Sequence, residues 1–171
     1  MHTSKWILSA ALLLTLSLPC WAARPIESAA DEQDVKEANH QFYSSLNAMF
    51  TGDATPMSQV WSHADDVTYM GPTGGILVGW EQIGEVWESQ AALKLGGEVL
   101  PEETHVILGS ELSIVQCREV GHNLDAQGKP LQVSIRATNI FRKEAGEWKM
   151  IGHHTDVLPF LNQEPSAAST K

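Results

Sequence analysis

The stretch Ile151-Gly152-His153-His154-Thr155-Asp156 sets two adjacent histidines beside an aspartate. Such residues serve in metal centres, in acid–base pairs and as hydrogen-bonding groups in binding pockets. His154-Thr155-Asp156 has the H-x-D spacing of half an iron site, but that site takes a further histidine downstream and none follows residue 154. No metal is expected. On a strand, neighbouring side chains point to opposite faces, so His153 and His154 cannot jointly grip one ion unless the strand breaks there. The remaining groups able to do chemistry are scattered: Tyr43, the Asp65-Asp66 pair, Tyr69, Trp87, Cys117, Glu119 and Asn139. Asp65-Asp66 reads as the polar start of a strand before it reads as a catalytic pair. Cys117 has no basic partner nearby in sequence and reads as a small buried residue. Gly71-Pro72-Thr73-Gly74-Gly75 is a turn cluster without the lysine of a phosphate-binding loop, so no cofactor is expected.

These groups need elements to hold them. Val35, Ala38, Phe42, Leu46 and Met49 recur at spacings of three and four and predict a helix from Asp31 that ends before Gly52, with Asn39 and Tyr43 at the edge of its apolar stripe. A second short helix is expected over Pro56 to His63, and a first strand in Asp65 to Gly71. A third helix opens at Gly79, shares one face among Trp80, Ile83, Trp87 and Ala91, and stops at Gly96. Trp80 and Trp87 fit either a core or an aromatic pocket wall. After that the period becomes two: strands are expected near 98–109, 111–122, 131–143 and 147–158, separated by turn signals. Helices first and long strands last indicate an α+β domain in which a curved antiparallel sheet wraps around the N-terminal helices, leaving a pocket on its concave face.

Strand parity sorts the side chains. Val133, Ile135, Ala137, Asn139 and Phe141 share the apolar face of their strand, and Arg136 lies on the other. Asn139 is the lone polar group on the inner face, either a satisfied core amide or a ligand contact. In the last strand Ile151 and Val157 compete with Trp148 and Met150 for the inside. Arg136 and Asp156 are expected to pair across the outer face.

The segments Ser45–Asp53, Trp61–Ile83 and Arg136–Asp156 resemble the SnoaL-like branch of the nuclear transport factor 2-like superfamily, across about residues 31–158. The resemblance implies a cone-shaped α+β fold, usually dimeric, whose members include isomerases, polyketide cyclases, dehydratases and small-ligand binders. It decides the last strand in favour of Ile151, His153 and Thr155 inside. Set against the ketosteroid isomerases, it puts the catalytic base at Gly71 and the protonated aspartate near Ala137, with only Tyr43 left of their functional groups, so steroid isomerisation is not expected. Set against the association domains of calmodulin-dependent kinases, their pocket arginines correspond to Glu119, Asn139 and Thr155. A site with Glu119 favours neutral donors or cations over carboxylates. The ligand-binding set expected is therefore Tyr69, Trp87, Glu119, Asn139 and His153, taking a small apolar or mixed-polarity molecule, with proton-transfer catalysis by His153 or Glu119 as the alternative.

Lys5, the apolar run Trp6–Leu18 and Cys20-Trp21-Ala22 read as a signal peptide over 1–22, cleaved after Ala22, and predict a periplasmic or secreted protein. Residues 23–30 and 161–171 are expected to be frayed, with the domain over 31–160. Loss of 1–22 removes Lys5 and no acid, so the net charge of −10 becomes −11. Such a surface repels phosphate backbones, and nucleic acid is not an expected partner. The apolar run is too short for a membrane span. A homodimer is expected on the convex face of the sheet, built on Trp148, Met150, Ile140 and His154.

Overall fold

The computed structural model describes residues 29–161; the expected signal peptide and C-terminal tail lie outside the described residues. Helix α1 (Ala29–Phe50) is followed by α2 (Thr55–Val60), β1 (Thr68–Met70), β2 (Leu77–Val78), α3 (Trp80–Leu93), β3 (Glu98–Ile107), β4 (Leu112–Leu124), β5 (Pro130–Glu144) and β6 (Glu147–Thr155). The six strands form one curved, unclosed sheet in the order β2-β1-β6-β5-β4-β3. All neighbouring pairs are antiparallel except β1 with β6, which run parallel, so the expected antiparallel sheet holds from β6 to β3 and again between β1 and β2. The helices cover the concave face, and the core lies between them and the sheet.

The stripe of α1 is wider than its apolar residues suggest. Asn39 and Tyr43 are as buried as Phe42 and Leu46 and point into the domain rather than sitting at its rim. Asp53 Oδ1 accepts the Thr55 amide at 3.0 Å where α2 starts, and Pro56 in the first turn needs no donor there. Helix α3 buries Ile83, Trp87 and Ala91. It ends earlier than expected, because Lys94 takes the left-handed conformation at its C-cap, and Gly96 then donates its amide to Phe50 O at 2.9 Å, tying the ends of α1 and α3 together.

The competition for the inside of β6 is resolved by a bulge. Asn139 pairs with His153 and Ile140 with Gly152, but Phe141 pairs with Met150, leaving Ile151 as an extra residue on β6. One inserted residue shifts the alternation by one, so Trp148 and Met150 face inward on one side of it and His153 and Thr155 on the other. Both candidate sets are thus inside, and the placement of Ile151 there is corrected: it is the pivot and is half-buried. The dimer surface expected on Trp148 and Met150 falls with it, since Met150 is fully buried and Trp148 nearly so within one chain.

Candidate functional site

Three strands and α1 bring a set of polar side chains together inside the apolar core. Tyr43 comes from α1, Cys117 and Glu119 from β4, Asn139 from β5 and His153 from β6, and all are buried. Their presence on the inner faces follows from strand parity: Cys117 and Glu119 are two residues apart, and Asn139 and His153 are direct cross-strand partners. A buried polar group without a partner costs roughly 1–3 kcal/mol, so these groups are held as a network.

The contacts are short. His153 Nδ1 lies 2.6 Å from Asn139 Oδ1. The Asn139 amide nitrogen donates to Asn39 Oδ1 at 2.7 Å and to the Tyr43 hydroxyl at 3.3 Å. Tyr43 in turn donates to Glu119 Oε1 at 3.1 Å and contacts Cys117 Sγ at 3.1 Å. His153 Nε2 stands 3.7 Å from Glu119 Oε1, too far for a direct hydrogen bond.

Burial decides the charges. Removal from water pushes the Glu119 carboxyl up to about 7 against the lowering effect of the Tyr43 hydrogen bond. It pushes His153 down to about 3, helped by the positive charge available to His154. Burial also raises the Cys117 thiol to about 11 and Tyr69 to about 12, and holds Tyr43 far above the ordinary phenol range. Around neutral pH the site holds a neutral imidazole facing a carboxyl poised between its two forms.

A cavity of about 50 Å³ opens beside Glu119 and His153. Tyr69 and Trp87 stand on its wall with Leu46, Phe50, Val133 and Ile135, and the turn containing Leu158 and Leu161 closes it. Aromatic rings line the polar end: Tyr69 stacks on His153 with centroids 5.7 Å apart, Phe42 approaches His153 at 4.9 Å, and Tyr69 meets the edge of Trp87 at 4.7 Å. The indole N–H of Trp87 has no hydrogen-bond partner among the described residues. A Cβ at Gly71 would overlap the hydroxyl oxygen and the adjoining ring carbons of Tyr69. The space a side chain at Gly71 would take is therefore filled by the Tyr69 phenol, which burial raises to about 12 and whose oxygen accepts a hydrogen bond from the Gln90 side-chain nitrogen.

Of the five residues expected to bind ligand, Tyr69, Trp87, Glu119 and His153 line one cavity, and Asn139 lies behind His153, touching the ring but not the cavity. Ile83, which shares the α3 face with Trp87, is fully buried and does not line it. Sequence reasoning underrated Asn39 and Tyr43; the signal was their four-residue spacing, which extends the apolar stripe by one column. His154 is exposed, and Asp156 is held by Arg136 at 2.8 Å on the outer face, as parity required. A broad groove of about 580 Å³ crosses that face past His105, Arg118, Arg136 and His154. Its arginines are already paired, Arg118 with Glu103 at 2.9 Å and Arg136 with Asp156.

The SnoaL-like domain family matches residues 35–158, and the chain belongs to it. A comparison with curated proteins finds no match. Among solved structures, a candidate dehydratase of the NTF2-like family from Streptomyces avermitilis is 23% identical with a TM-score of 0.67, over 77% of this chain and 99% of that one. A candidate calcium/calmodulin-dependent protein kinase type II association domain from Thiobacillus denitrificans is 26% identical with a TM-score of 0.59, over 72% and 94%. A nuclear transport factor 2-like superfamily protein from Salmonella enterica shares the fold at 12% identity with a TM-score of 0.65, over 83% and 98%. Family and fold together define a SnoaL-like α+β scaffold, and a fold by itself assigns no activity. No helix among the described residues is long and apolar enough to cross a membrane.

Proposed function

We propose that this protein is an exported small-molecule-binding protein whose ligand enters the cone between α1, α3 and the concave face of the sheet. The observation that carries this reading is the cavity itself: apolar on most of its wall, and ending on Glu119 and His153, whose facing atoms are near each other but unbonded. Ligand pockets combine an apolar wall with a few convergent polar groups in this way. Cavities for drug-sized ligands run to roughly 300–1,000 Å³. At about 50 Å³ the closed cavity holds only a few atoms, so a larger ligand displaces the Leu158–Leu161 turn, which is tied to β1's following loop by the Leu158 amide on Pro72 O at 2.9 Å.

The test is a ligand-dependent thermal shift on wild type, His153→Ala and His154→Ala, using a metabolite extract and then its fractions. Stabilisation lost in His153→Ala and kept in His154→Ala supports the reading. The reverse pattern moves the site to the outer face and overturns it.

A second reading is supported by the pairing of a neutral imidazole with a carboxyl near its midpoint: proton transfer within the same cavity. In a dehydration, His153 Nε2 would take the proton from the carbon next to a carbonyl while protonated Glu119 gives its proton to the departing hydroxyl, releasing an alkene and water. The candidate dehydratase from Streptomyces avermitilis adds weight through its fold alone. Solvent deuterium appearing at the ligand's acidic carbon in wild type, and not in His153→Gln, is the expected sign of this activity.

Export rests on the signal-peptide pattern of residues 1–22. A homodimer over the outer face of the sheet is also proposed, now on the exposed Leu100 and half-buried Ile140 rather than on Trp148 and Met150.

A further inference from the structure

The protons of the buried network can be counted. The Tyr43 oxygen has one proton and two lone pairs, and three partners surround it: Glu119 Oε1, Asn139 Nδ2 and Cys117 Sγ. A carboxylate only accepts, and the unprotonated oxygen of a carboxylic acid also accepts, so the tyrosine proton goes to Glu119 Oε1. The two lone pairs then receive the Cys117 S–H and one Asn139 N–H. The second Asn139 N–H goes to Asn39 Oδ1. Both amide hydrogens being committed on that side, Asn139 turns its oxygen to His153, and an oxygen at 2.6 Å from Nδ1 requires a proton on that nitrogen. A neutral ring carries no other. The 3.7 Å gap between Nε2 and Glu119 agrees, because an Nε2–H would close on the carboxyl to hydrogen-bonding distance.

We propose that Asn139, oriented by Asn39 and Tyr43, is a positioning residue that locks His153 in the Nδ1–H tautomer, so that the cavity offers a bare Nε2 and takes uncharged ligands through a ligand O–H. The ligand clause rests on the small-molecule reading above; the tautomer clause does not. A ligand bearing a hydroxyl, phenol or enol can donate to Nε2 and accept from a protonated Glu119 at once. An acceptor-only molecule of the same shape leaves Nε2 unmatched, and a carboxylate faces both the lone pair and the Glu119 carboxyl.

Multiple-bond proton–nitrogen NMR on the histidine-labelled full chain at pH 7 reads the tautomer directly, with His153 identified by its loss in His153→Gln. The wild-type ring is expected to show a protonated Nδ1 and a bare Nε2. Asn139→Leu is expected to bring up the Nε2–H form at least tenfold, and Asn139→Asp, which keeps an acceptor at Nδ1, to restore the Nδ1–H signature. Should Asn139→Leu fail to fold, Asn39→Leu frees the same amide to flip and is expected to shift the ratio in the same direction. A wild-type ring protonated at Nε2, or a ratio unmoved in the variants that fold, overturns the assignment.

The ligand clause is read by titrating phenol against fluorobenzene, which matches its shape but lacks the O–H. Both exceed the closed cavity, so the displacement of the Leu158–Leu161 turn is common to the two. Phenol is expected to bind about fivefold more tightly, the worth of one net hydrogen bond, and to move the His153 Nε2 signal. Equal binding overturns the ligand clause. If the tautomer is as assigned and neither probe binds, the ligand clause and the small-molecule reading fall together while the positioning role stands. The wrong tautomer with tight phenol binding overturns the positioning role and the ligand clause, which needs a bare Nε2, and leaves the small-molecule reading standing.

Discussion

Glu119 and His153 respond to pH in opposite senses, and their balance should shape the stability of the whole protein. His153 is neutral in the folded chain down to about 3 but ionises near 6.5 when unfolded, so the unfolded state binds more protons between those values and stability rises with pH across them. Glu119 keeps its proton up to about 7 in the fold against 4.5 unfolded, so the folded state binds more protons there and stability falls as pH rises from 4.5 to 7. Each slope amounts to on the order of 3–5 kcal/mol over its range. The expected profile climbs to about 4.5, is flat to about 6.5 where the two cancel, and then declines slightly. Urea unfolding across pH should show that plateau in wild type, while Glu119→Gln should climb steadily to about 6.5 and stay there. A decline near neutrality that persists in Glu119→Gln would assign it to other groups. Tyr43→Phe should cost roughly 1–3 kcal/mol, because it strands the Asn139 and Cys117 donors at once. It should also raise the Glu119 pKa further, since the tyrosine hydrogen bond is what lowers it.

At the level of elements, the bulge at Ile151 is what permits one strand to bury Trp148 and Met150 in the core and still aim His153 into the cavity. Deleting Ile151 should remove the bulge and restore plain alternation, with Met150 still opposite Phe141 and His153 still opposite Asn139, so both sets stay inside. The expected result is a folded protein that keeps His153 in the cavity, with ligand binding retained and only the packing of the half-buried Ile151 side chain lost. Loss of ligand binding in that variant with the fold intact would mean that the inserted residue itself helps to place the histidine. The turn after β1 carries a second constraint. A methyl at Gly71 would meet the Tyr69 hydroxyl, which lies at the mobile end of a side chain, so Gly71→Ala should push the ring off the cavity wall at roughly 1–3 kcal/mol rather than prevent folding. Tyr69→Leu combined with Gly71→Ala should recover more of that loss in thermal melts than Tyr69→Phe does, because the ring carbons Cζ and Cε1 clash as well as the oxygen and phenylalanine keeps both.

For the molecule as a whole, the covered concave face and the open outer face of one sheet assign different tasks to its two sides. The inner face holds a small cavity lined in part by Leu158 and Leu161. The outer face carries paired charges and exposed apolar groups such as Leu100. A homodimer formed there should be visible by light scattering at micromolar concentration and should loosen when Leu100 is replaced by Glu, leaving ligand binding intact. A monomer at that concentration would count against the dimer. Intact-mass measurement on native protein should give a chain starting at Ala23, with Cys117 its single thiol; a lipid-modified Cys20 would overturn the cleavage proposed.

The order of helices and strands, the inward face of β5 and the divergence of His153 from His154 were legible in the sequence, because each depends on a local period of 3.6 or 2 that side-chain polarity reports directly. The pairing of Arg136 with Asp156 was legible for the same reason. The register of β6 was not: a bulge is one residue of backbone with no polarity signature, and it made two contradictory patterns both true. Nor was the parallel pairing of β1 with β6, which joins segments far apart in the chain. The buried site shows the limit most clearly. Its residues come from α1, β4, β5 and β6, and a polar side chain such as Asn39 or Tyr43 beside an apolar stripe looks the same in sequence whether it meets water or a partner. Only tertiary packing decides which, because a buried hydrogen bond needs a donor and an acceptor brought to within about 3 Å from distant parts of the chain.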